Sequence, residues 1–266
     1  MPPSELDASI AAGHYARKQL LCDDRLIAWS HRRRFATALR LAEQLHGARV
    51  LDHGCGDGTF LAMLMDAPYA PKAAIGSEIA PSLVEDCETR LGARAGLGFL
   101  LASVLDTDAH AGAYDVVFCT EVLEHVVDLD GEIDRLARLL APTGTLVVSV
   151  PVETGMPLIV KQAARRIAGW RGLGDYPGSS PYSAREYWRS VFAGPRARLE
   201  RPIHAGDDGH RFHDHKGFNW MALRDRLRRR FRVDAVLASP VAWLPAHLGS
   251  QAWFVARPSH PSAGPS

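Results

Sequence analysis

The first 150 residues alternate between short apolar runs and segments with helical periodicity. Five apolar runs are predicted to be strands, and they span 48–52, 72–78, 98–103, 114–120 and 144–150. The fourth run is apolar at nearly every position, which is typical of a strand that is covered on both faces. Strands separated by helices imply right-handed crossovers and a parallel sheet. The sequence therefore predicts an α/β fold with a Rossmann-like, doubly wound sheet.

The alternation ends near residue 151. Helices are predicted over 157–170 and 183–192, followed by a polar loop rich in histidine, and a further helix over 219–231. Two closing strands, 232–239 and 250–257, are expected to form an antiparallel pair at one side of the sheet. We therefore predict seven strands, mostly parallel with an antiparallel edge strand, and a helical insertion after strand five. The predicted organisation is an N-terminal helical cap (1–46), a cofactor-binding core (47–151), a substrate-capping insertion (152–218), the C-terminal part of the core (219–258) and a disordered tail (259–266).

Composition excludes several classes of protein. The chain has 266 residues, is 47% hydrophobic, and carries a formal net charge of +1, which does not favour a polyanionic partner. No apolar run approaches the length of a membrane span, and the first ten residues lack the apolar segment of a signal peptide. The four cysteines are scattered without a CxxC pair, so reduced thiols and a cytoplasmic location are expected.

A glycine-rich turn follows the first predicted strand. Residues 50–60 are VLDHGCGDGTF, in which Gly54, Gly56 and Gly58 alternate behind Asp52. A carboxylate at that place opposes a pyrophosphate but suits a cationic ligand, whereas glycines let the backbone approach the ligand closely. Glu78 ends the second strand, where a carboxylate accepts hydrogen bonds from ribose hydroxyls. S-adenosylmethionine (SAM) combines an ammonium, a sulfonium and a ribose.

Four elements in order resemble the class I SAM-dependent methyltransferases, in particular the branch with an EVLEH signature. They are the glycine-rich turn, Glu78, DVVFCTEVLEHV at 115–126, and LLAPTGTLVVSVP at 139–151. The resemblance is close over residues 45–151 and looser over the last two strands. It implies a SAM-dependent methyltransferase whose cofactor lies at the carboxyl ends of the strands.

The resemblance also implies a set of cofactor-binding residues. Asp52 and the backbone of the first two glycines would hold the amino-acid end of SAM, and Glu78 would hold the ribose. Where the family often has an aspartate beside the adenine, this chain has Ser103, which still offers a hydrogen bond. The full set consists of Asp52, Gly54, Gly56, Glu78, Ile79, Ser103, Val104 and Cys119, the last through its backbone.

A cap over the cofactor is expected from the segment that precedes the first strand. In methyltransferases of this shape such a segment often closes over SAM. Arg33 or Arg34 is then a candidate partner for the SAM carboxylate, and His14 and Tyr15 are candidates for the same cap.

Two catalytic arrangements fit the polar residues that follow strand four and the insertion. In one, a histidine of the loop 209–220 acts as general base, with His125 and His215 as the catalytic candidates. In the other, Glu121, Glu124, His125 and His215 bind one divalent metal, with the two glutamates sharing a face if the segment is helical. That pattern resembles metal-dependent 2′-O-methyltransferases of small-RNA 3′ ends, although Gly217 interrupts the downstream motif here. Whether a metal is bound stays open.

The predicted function is methyl transfer to a small-molecule acceptor, preferably a hydroxyl of a saccharide or secondary metabolite. The alternatives are an RNA 3′-end methyltransferase, a dinucleotide-dependent oxidoreductase and a non-catalytic SAM-binding protein, and a nucleic-acid partner is not favoured. The basic amphipathic helix at 157–171 fits a lid over the pocket, an ordinary solvated helix, or peripheral contact with a membrane. The oligomeric state is not predicted.

Overall fold

The computed structural model describes residues 7–44, 48–170, 180–206 and 209–259. The helices are α1 Ala8–Ala11, α2 Arg25–Ala42, α3 Thr59–Met65, α4 Pro81–Leu91, α5 Leu129–Leu139, α6 Gly155–Trp170, α7 Ala184–Val191 and α8 Trp220–Arg230. The strands are β1 Arg49–His53, β2 Ala73–Glu78, β3 Leu97–Leu101, β4 Tyr114–Thr120, β5 Leu140–Pro151, β6 Ile203–Ala205, β7 Arg211–His213, β8 Phe231–Ser239 and β9 Gln251–Pro258. A π-helical turn, Ala16–Leu20, precedes α2.

The central sheet has seven strands in the order β3-β2-β1-β4-β5-β9-β8. β1 is parallel to β2 and to β4, and β2 is parallel to β3. At the other side, the N–H of Val152 donates to the carbonyl of Ser250, and the N–H of Ser250 donates to the carbonyl of Ser239. The start of β9 therefore meets the ends of β5 and β8, so β9 runs against both. The predicted α/β class, the seven strands and the mostly parallel sheet with an antiparallel strand at that edge are confirmed.

The first compact unit comprises Met1–Thr120, Arg135–Val148 and Ala256–Ser266. Its core forms on β1 and β4, whose apolar residues are buried as their uninterrupted hydrophobic runs predict. The rings of Phe60 on α3 and Phe118 on β4 meet edge to face, with centroids 4.8 Å apart. This contact fixes α3, and with it the turn that leads into α3, against the centre of the sheet.

The second compact unit comprises Glu121–Asp134 and Ser149–Val255. Helix α8 begins where the Asn219 side chain accepts hydrogen bonds from the N–H groups of Met221 and Ala222. Trp220, Leu223 and Leu227 are buried along one face of α8, as their spacing predicts. The Trp220 ring packs against Phe254 with centroids 6.4 Å apart. Among the described helices, none is both long and apolar enough to cross a membrane.

Several local expectations are wrong. The EVLEH segment forms turns rather than a helix, and Glu121 has a φ of 59°, a left-handed conformation. β5 begins at Leu140 rather than 144, because Pro142 disfavours helical backbone at the residue before it. β7 lies within the histidine-rich loop and pairs antiparallel with β6, which precedes that loop. β3 ends at Leu101, so Ser103 and Val104 lie in a 3-10 turn that follows it.

Candidate functional site

The glycine-rich turn of the first unit has a backbone that other residues adopt only with strain. Gly54, Gly56 and Gly58 have φ values of 75°, 57° and 71°, all in the left-handed region. The N–H groups of Gly54 and Cys55 donate to the carbonyl of Ser77, over 2.8 and 3.0 Å. The turn is thereby tied to the end of β2, and Gly58 leads directly into α3.

Asp52 is a buried carboxylate at the carboxyl end of β1. Its residue is only 2% exposed, and Oδ1 has no hydrogen-bond partner among the described residues. Burial raises the pKa of Asp52 to about 7, and the negative charge of Glu78 adds to the rise while Arg34 opposes it. A buried carboxylate oxygen without a partner is costly, and a cationic ligand would relieve that cost. Asp52 therefore fits the ammonium group of SAM.

Glu78 lies at the end of β2 and contacts the same turn. Its Oε2 accepts a hydrogen bond from the N–H of Gly56 over 3.0 Å, and its Oε1 accepts from the N–H of Ile79 over 2.7 Å. Two backbone donors thus hold the carboxylate in place. Its position at the end of the second parallel strand matches that of the ribose-binding acid in dinucleotide folds.

The other predicted cofactor residues differ in exposure. Ile79 is 52% exposed and Val104 is 42% exposed, so both side chains are accessible to an adenine ring. Ser103 is also exposed, beside Val104 in the 3-10 turn. Cys119 is fully buried on β4, so its side chain belongs to the core and only its backbone fits the predicted role.

The segment that precedes β1 packs on the glycine-rich turn. A Cβ at Gly56 would lie 3.1 Å from the ring of Tyr15, and Asp57 Oδ2 accepts a hydrogen bond from the N–H of Ala16 over 2.9 Å. Burial raises the pKa of Tyr15, and the charges of Glu78 and Asp57 add to the rise. Tyr15 thus lies in a cap, whereas Arg34 influences Asp52 through its charge and donates to Gln19 Oε1.

Asp57 was missed as a site residue by the sequence prediction. It is 2% exposed and lies between Gly56 and Gly58 inside the turn. Besides the amide of Ala16, it accepts from the N–H of Thr59 at the start of α3. A carboxylate within a glycine-rich turn and two residues before a helix was the signal that could have identified it.

In the second unit, Glu124, His125 and His215 come together. One potential ligand atom from each lies within 4.8 Å of the others, and Glu124 is fully buried. The imidazole rings of His125 and His215 meet edge to face with centroids 4.9 Å apart. Burial lowers the pKa of His215, and the neighbouring His125 adds to that effect. The two predicted catalytic histidines are therefore close neighbours, 90 residues apart in sequence.

The orientation of His125 is fixed by the backbone of His213. His125 Nδ1 lies 2.8 Å from the carbonyl oxygen of His213, and the N–H of His213 donates to the carbonyl of His125. Since a carbonyl oxygen only accepts, Nδ1 carries a hydrogen, and in the neutral ring Nε2 keeps a lone pair. His125 Nε2 is 3.8 Å from Glu124 Oε1. A histidine held in this way is suited to act as a base or as a metal ligand.

The remaining polar residues of this region lie outside the cluster. His213 turns its Nδ1 towards the carbonyl of Pro202, and its burial lowers its pKa. His204 contacts Asp214, and Glu121 Oε1 accepts a hydrogen bond from Ser149 Oγ. Glu121 is not among the three residues whose ligand atoms lie within 4.8 Å of one another, although its charge acts on His215 and favours the protonated form. The four-ligand hypothesis stays a prediction.

Glu153 was also missed by the sequence prediction. It is fully buried and its Oε1 accepts from Lys161 Nζ over 2.8 Å, whereas Oε2 has no hydrogen-bond partner in the described parts of the chain. The charge of Glu153 acts on His215, where it favours the protonated form. Its position directly after β5 offered a weak sequence signal, since strand ends carry functional groups in this fold class.

Comparisons with known proteins agree with this geometry. Among curated proteins, a ubiquinone biosynthesis O-methyltransferase of Xanthomonas oryzae pv. oryzae is 41% identical to this chain over 107 residues. The match covers 40% of this chain and 44% of that protein, so the chain spans less than half the length of this relative.

Two solved structures share the fold. One is a protein of Pyrococcus horikoshii, with a TM-score of 0.58 and 13% identity over 91% of this chain and 96% of that one. The other is an S-adenosylmethionine dependent methyltransferase of Mesorhizobium loti, with a TM-score of 0.50 and 13% identity over 83% and 96%. The methyltransferase domain family matches residues 28–192, which is more than half of the chain. The chain belongs to the class I SAM-dependent methyltransferases, and its cofactor is S-adenosylmethionine.

Proposed function

We propose that this enzyme transfers the methyl group of SAM to a hydroxyl oxygen of a small-molecule acceptor. The observation that carries the proposal is the grouping of Glu124, His125 and His215. Because the hydrogen bond to the His213 carbonyl is made by Nδ1 of His125, Nε2 of that ring is available for a proton or a metal ion. An oxygen nucleophile must lose a proton during methyl transfer, and this cluster offers a base for it.

The cofactor end of the proposal rests on the first unit. Asp52 would receive the ammonium group of SAM, and the backbone of Gly54 and Gly56 would approach the methionine chain. Glu78 would accept hydrogen bonds from the ribose, between Ile79 and the glycine-rich turn. Ile79, Ser103 and Val104 would flank the adenine, and the backbone of Cys119 would contact the methionine.

The transfer itself is a single displacement. The lone pair of the acceptor oxygen forms the new O–C bond while the C–S bond of SAM breaks, and its electrons remain on sulfur to give S-adenosylhomocysteine (SAH). The hydroxyl proton must pass to a base, and His125 Nε2 is the base proposed here. The enzyme's main contribution is to hold the oxygen behind the methyl group and to exclude water.

A second version of this chemistry uses a metal. Glutamate and histidine are suitable ligands for a divalent cation, and Glu124, His125 and His215 offer one ligand atom each. The hydrogen bond from His125 Nδ1 to a backbone carbonyl is the support that metal-binding histidines usually have. A cation bound there would supply Lewis-acid activation of the acceptor hydroxyl.

Acceptor identity is the finer part of the proposal. A relative that is 41% identical over 107 residues is named as a ubiquinone biosynthesis O-methyltransferase, which supports oxygen as the methylated atom. A hydroxyl of a saccharide or of a secondary metabolite is the acceptor class that we propose. A cytoplasmic location stays a prediction from the cysteine pattern.

The test uses SAM labelled with tritium in the methyl group and panels of phenols, saccharides and RNA oligonucleotides. We expect label in a hydroxylated small molecule, and a loss of turnover of about 100-fold or more in His125→Ala and His215→Ala. His247→Ala changes an exposed histidine outside the cluster and is the matched control. SAH affinity should remain normal in all three variants.

The metal version is separated from the base version by EDTA. Activity lost in EDTA and restored by a divalent cation supports the metal version, and activity unchanged by EDTA supports the base version. Label that enters RNA, or full turnover in both histidine variants, would overturn the proposal.

A further inference from the structure

One face of α7 combines two exposed aromatic rings with two arginines. Trp188 is 54% exposed and Phe192 is 79% exposed, and their rings stack with centroids 5.8 Å apart and an interplanar angle of 17°. Arg185 and Arg189 are also exposed. At 3.6 residues per turn these four positions lie on one side of the helix. We call Arg185, Trp188, Arg189 and Phe192 the α7 face.

The other side of α7 is engaged within the second unit. Ser190 is buried, and Tyr187 meets Tyr182 with ring centroids 6.4 Å apart. Glu186 closes the capping box with Ser183, and its carboxylate pairs with Lys216 Nζ at 2.9 Å. The single acidic residue of α7 is therefore neutralised away from the α7 face. Within α7 itself, no carboxylate lies on the side of the two arginines, and Arg189 donates a hydrogen bond to the carbonyl of Arg198 over 3.2 Å.

Neighbouring elements add further exposed apolar residues. Helix α6 contacts α7 and also the 3-10 turn Ala246–Leu248. Met156 and Val160 on α6 are 58% and 63% exposed, and Trp243 and Leu248, near that turn, are 83% and 44% exposed. Isolated exposed apolar residues are ordinary, but a concentration of them on adjacent elements indicates an interaction surface.

We propose that the α7 face docks on the surface of an anionic lipid bilayer. Tryptophan and phenylalanine are suited to the boundary between headgroups and acyl chains, and flanking arginines are attracted to anionic headgroups. Stacked aromatics with arginines also suit single-stranded nucleic acid. Trp243 would suit either partner, but the aliphatic Met156, Val160 and Leu248 favour lipid, because bases do not stack on them. The inference does not depend on the acceptor proposed above.

The test is co-sedimentation of the full chain with vesicles. Vesicles of phosphatidylcholine mixed with phosphatidylglycerol should bind the protein, and pure phosphatidylcholine vesicles should bind it much less. Trp188→Ser combined with Phe192→Ser should lower the partition coefficient about 10-fold or more, because two apolar rings no longer enter the boundary. Arg185→Ala and Arg189→Ala should each lower it about fivefold at low salt and less at high salt.

Matched controls come from exposed residues elsewhere. Leu26→Ser on α2 and Arg228→Ala on α8 replace an apolar and a basic residue outside the α7 face, and they should leave partition unchanged. Circular dichroism and SAH affinity verify that each variant folds. The proposal fails if anionic vesicles do not bind the protein. It also fails if the α7 variants bind them as the wild type does, or if those variants lose binding to an RNA oligonucleotide while vesicle binding persists.

Discussion

The N–H of Gly56 donates a hydrogen bond to Glu78 Oε2 over 3.0 Å, so the glycine-rich turn and the end of β2 are joined by one carboxylate. The second oxygen of Glu78 is held by the N–H of Ile79. These bonds fix the carboxylate before any ligand arrives, which reduces the ordering cost of binding. The same side chain therefore shapes the turn, and we expect it to present an acceptor to the ribose.

Replacing Glu78 by glutamine should separate charge from shape. Glu78→Gln keeps the length of the side chain but loses the charge, and we expect SAH binding to weaken by about 1–3 kcal/mol, as for a lost charge-assisted hydrogen bond. Calorimetric titration measures the change. Glu85→Gln, an exposed position on α4, is the control and should bind SAH normally. Normal binding by Glu78→Gln would remove Glu78 from the ribose site.

The affinity for SAH should depend on the ionisation of Asp52. Its pKa in the unliganded protein is about 7, and only the ionised form attracts the ammonium group of SAH. Affinity should therefore increase as the pH rises from 6 to 8, by up to about tenfold per pH unit on the acid side. Asp52→Asn should bind weakly with little dependence on pH. A steep pH profile retained in Asp52→Asn would assign it to another group.

The same carboxylate should make the unliganded protein less stable at high pH. Because the folded-state pKa lies above the ordinary value of 3.8, ionisation of Asp52 opposes folding, and its cost develops as the pH rises from about 4 to about 7. Without ligand, Asp52→Asn should have a higher unfolding free energy than the wild type at pH 8, with the difference disappearing towards pH 4. Denaturant titration at both pH values measures it. A variant less stable than the wild type at pH 8 would contradict the cost assigned to the buried charge.

Gly56→Ala should lower both protein stability and SAH affinity more than Gly194→Ala does. Gly56 has a φ of 57°, and an added Cβ would lie 3.1 Å from the Tyr15 ring. We expect a loss of about 1–2 kcal/mol in unfolding free energy from the left-handed backbone, with a loss of SAH affinity. Gly194→Ala is the control, since nothing lies within 4 Å of its added Cβ. Equal effects of both variants would argue against a special conformation of the turn.

Cation binding at the three-residue cluster is open to a direct test. After EDTA treatment, the metal version predicts that the wild type takes up one Co²⁺ per chain, as followed by visible absorption. Glu124→Gln and His215→Ala should lose this uptake while binding SAH normally. His247→Ala should retain it. Uptake by both cluster variants at wild-type affinity would exclude this group as the binding site.

Local pattern predicted most of the fold. The apolar run 114–120 coincides with β4, because an uninterrupted run of apolar residues is typical of a strand that is buried on both faces. The EVLEH turns were not predicted, since a left-handed Glu121 depends on its surroundings rather than on its propensity. The β6–β7 hairpin consists of two three-residue strands, which are too short to show a period.

The candidate site residues likewise include some that the sequence indicates and some that depend on long-range packing. Asp52 and Glu78 were predictable, because strand ends and glycine-rich turns are visible in sequence. The approach of His215 to His125 was expected only through resemblance, and long-range packing determines which loop histidine takes that place. Tyr15 was one of several cap candidates, and its contact with Gly56 distinguishes it. The predicted domain boundaries and the cofactor and catalytic roles of these residues stay predictions.

Calorimetric titration of the purified chain with SAH, and with NADH as a control ligand, tests the cofactor assignment at its centre. We expect one SAH per chain with a dissociation constant of roughly micromolar size, a weaker interaction in Asp52→Asn, and no heat from NADH. Binding of NADH without binding of SAH would contradict the assignment and would favour a dinucleotide-dependent oxidoreductase.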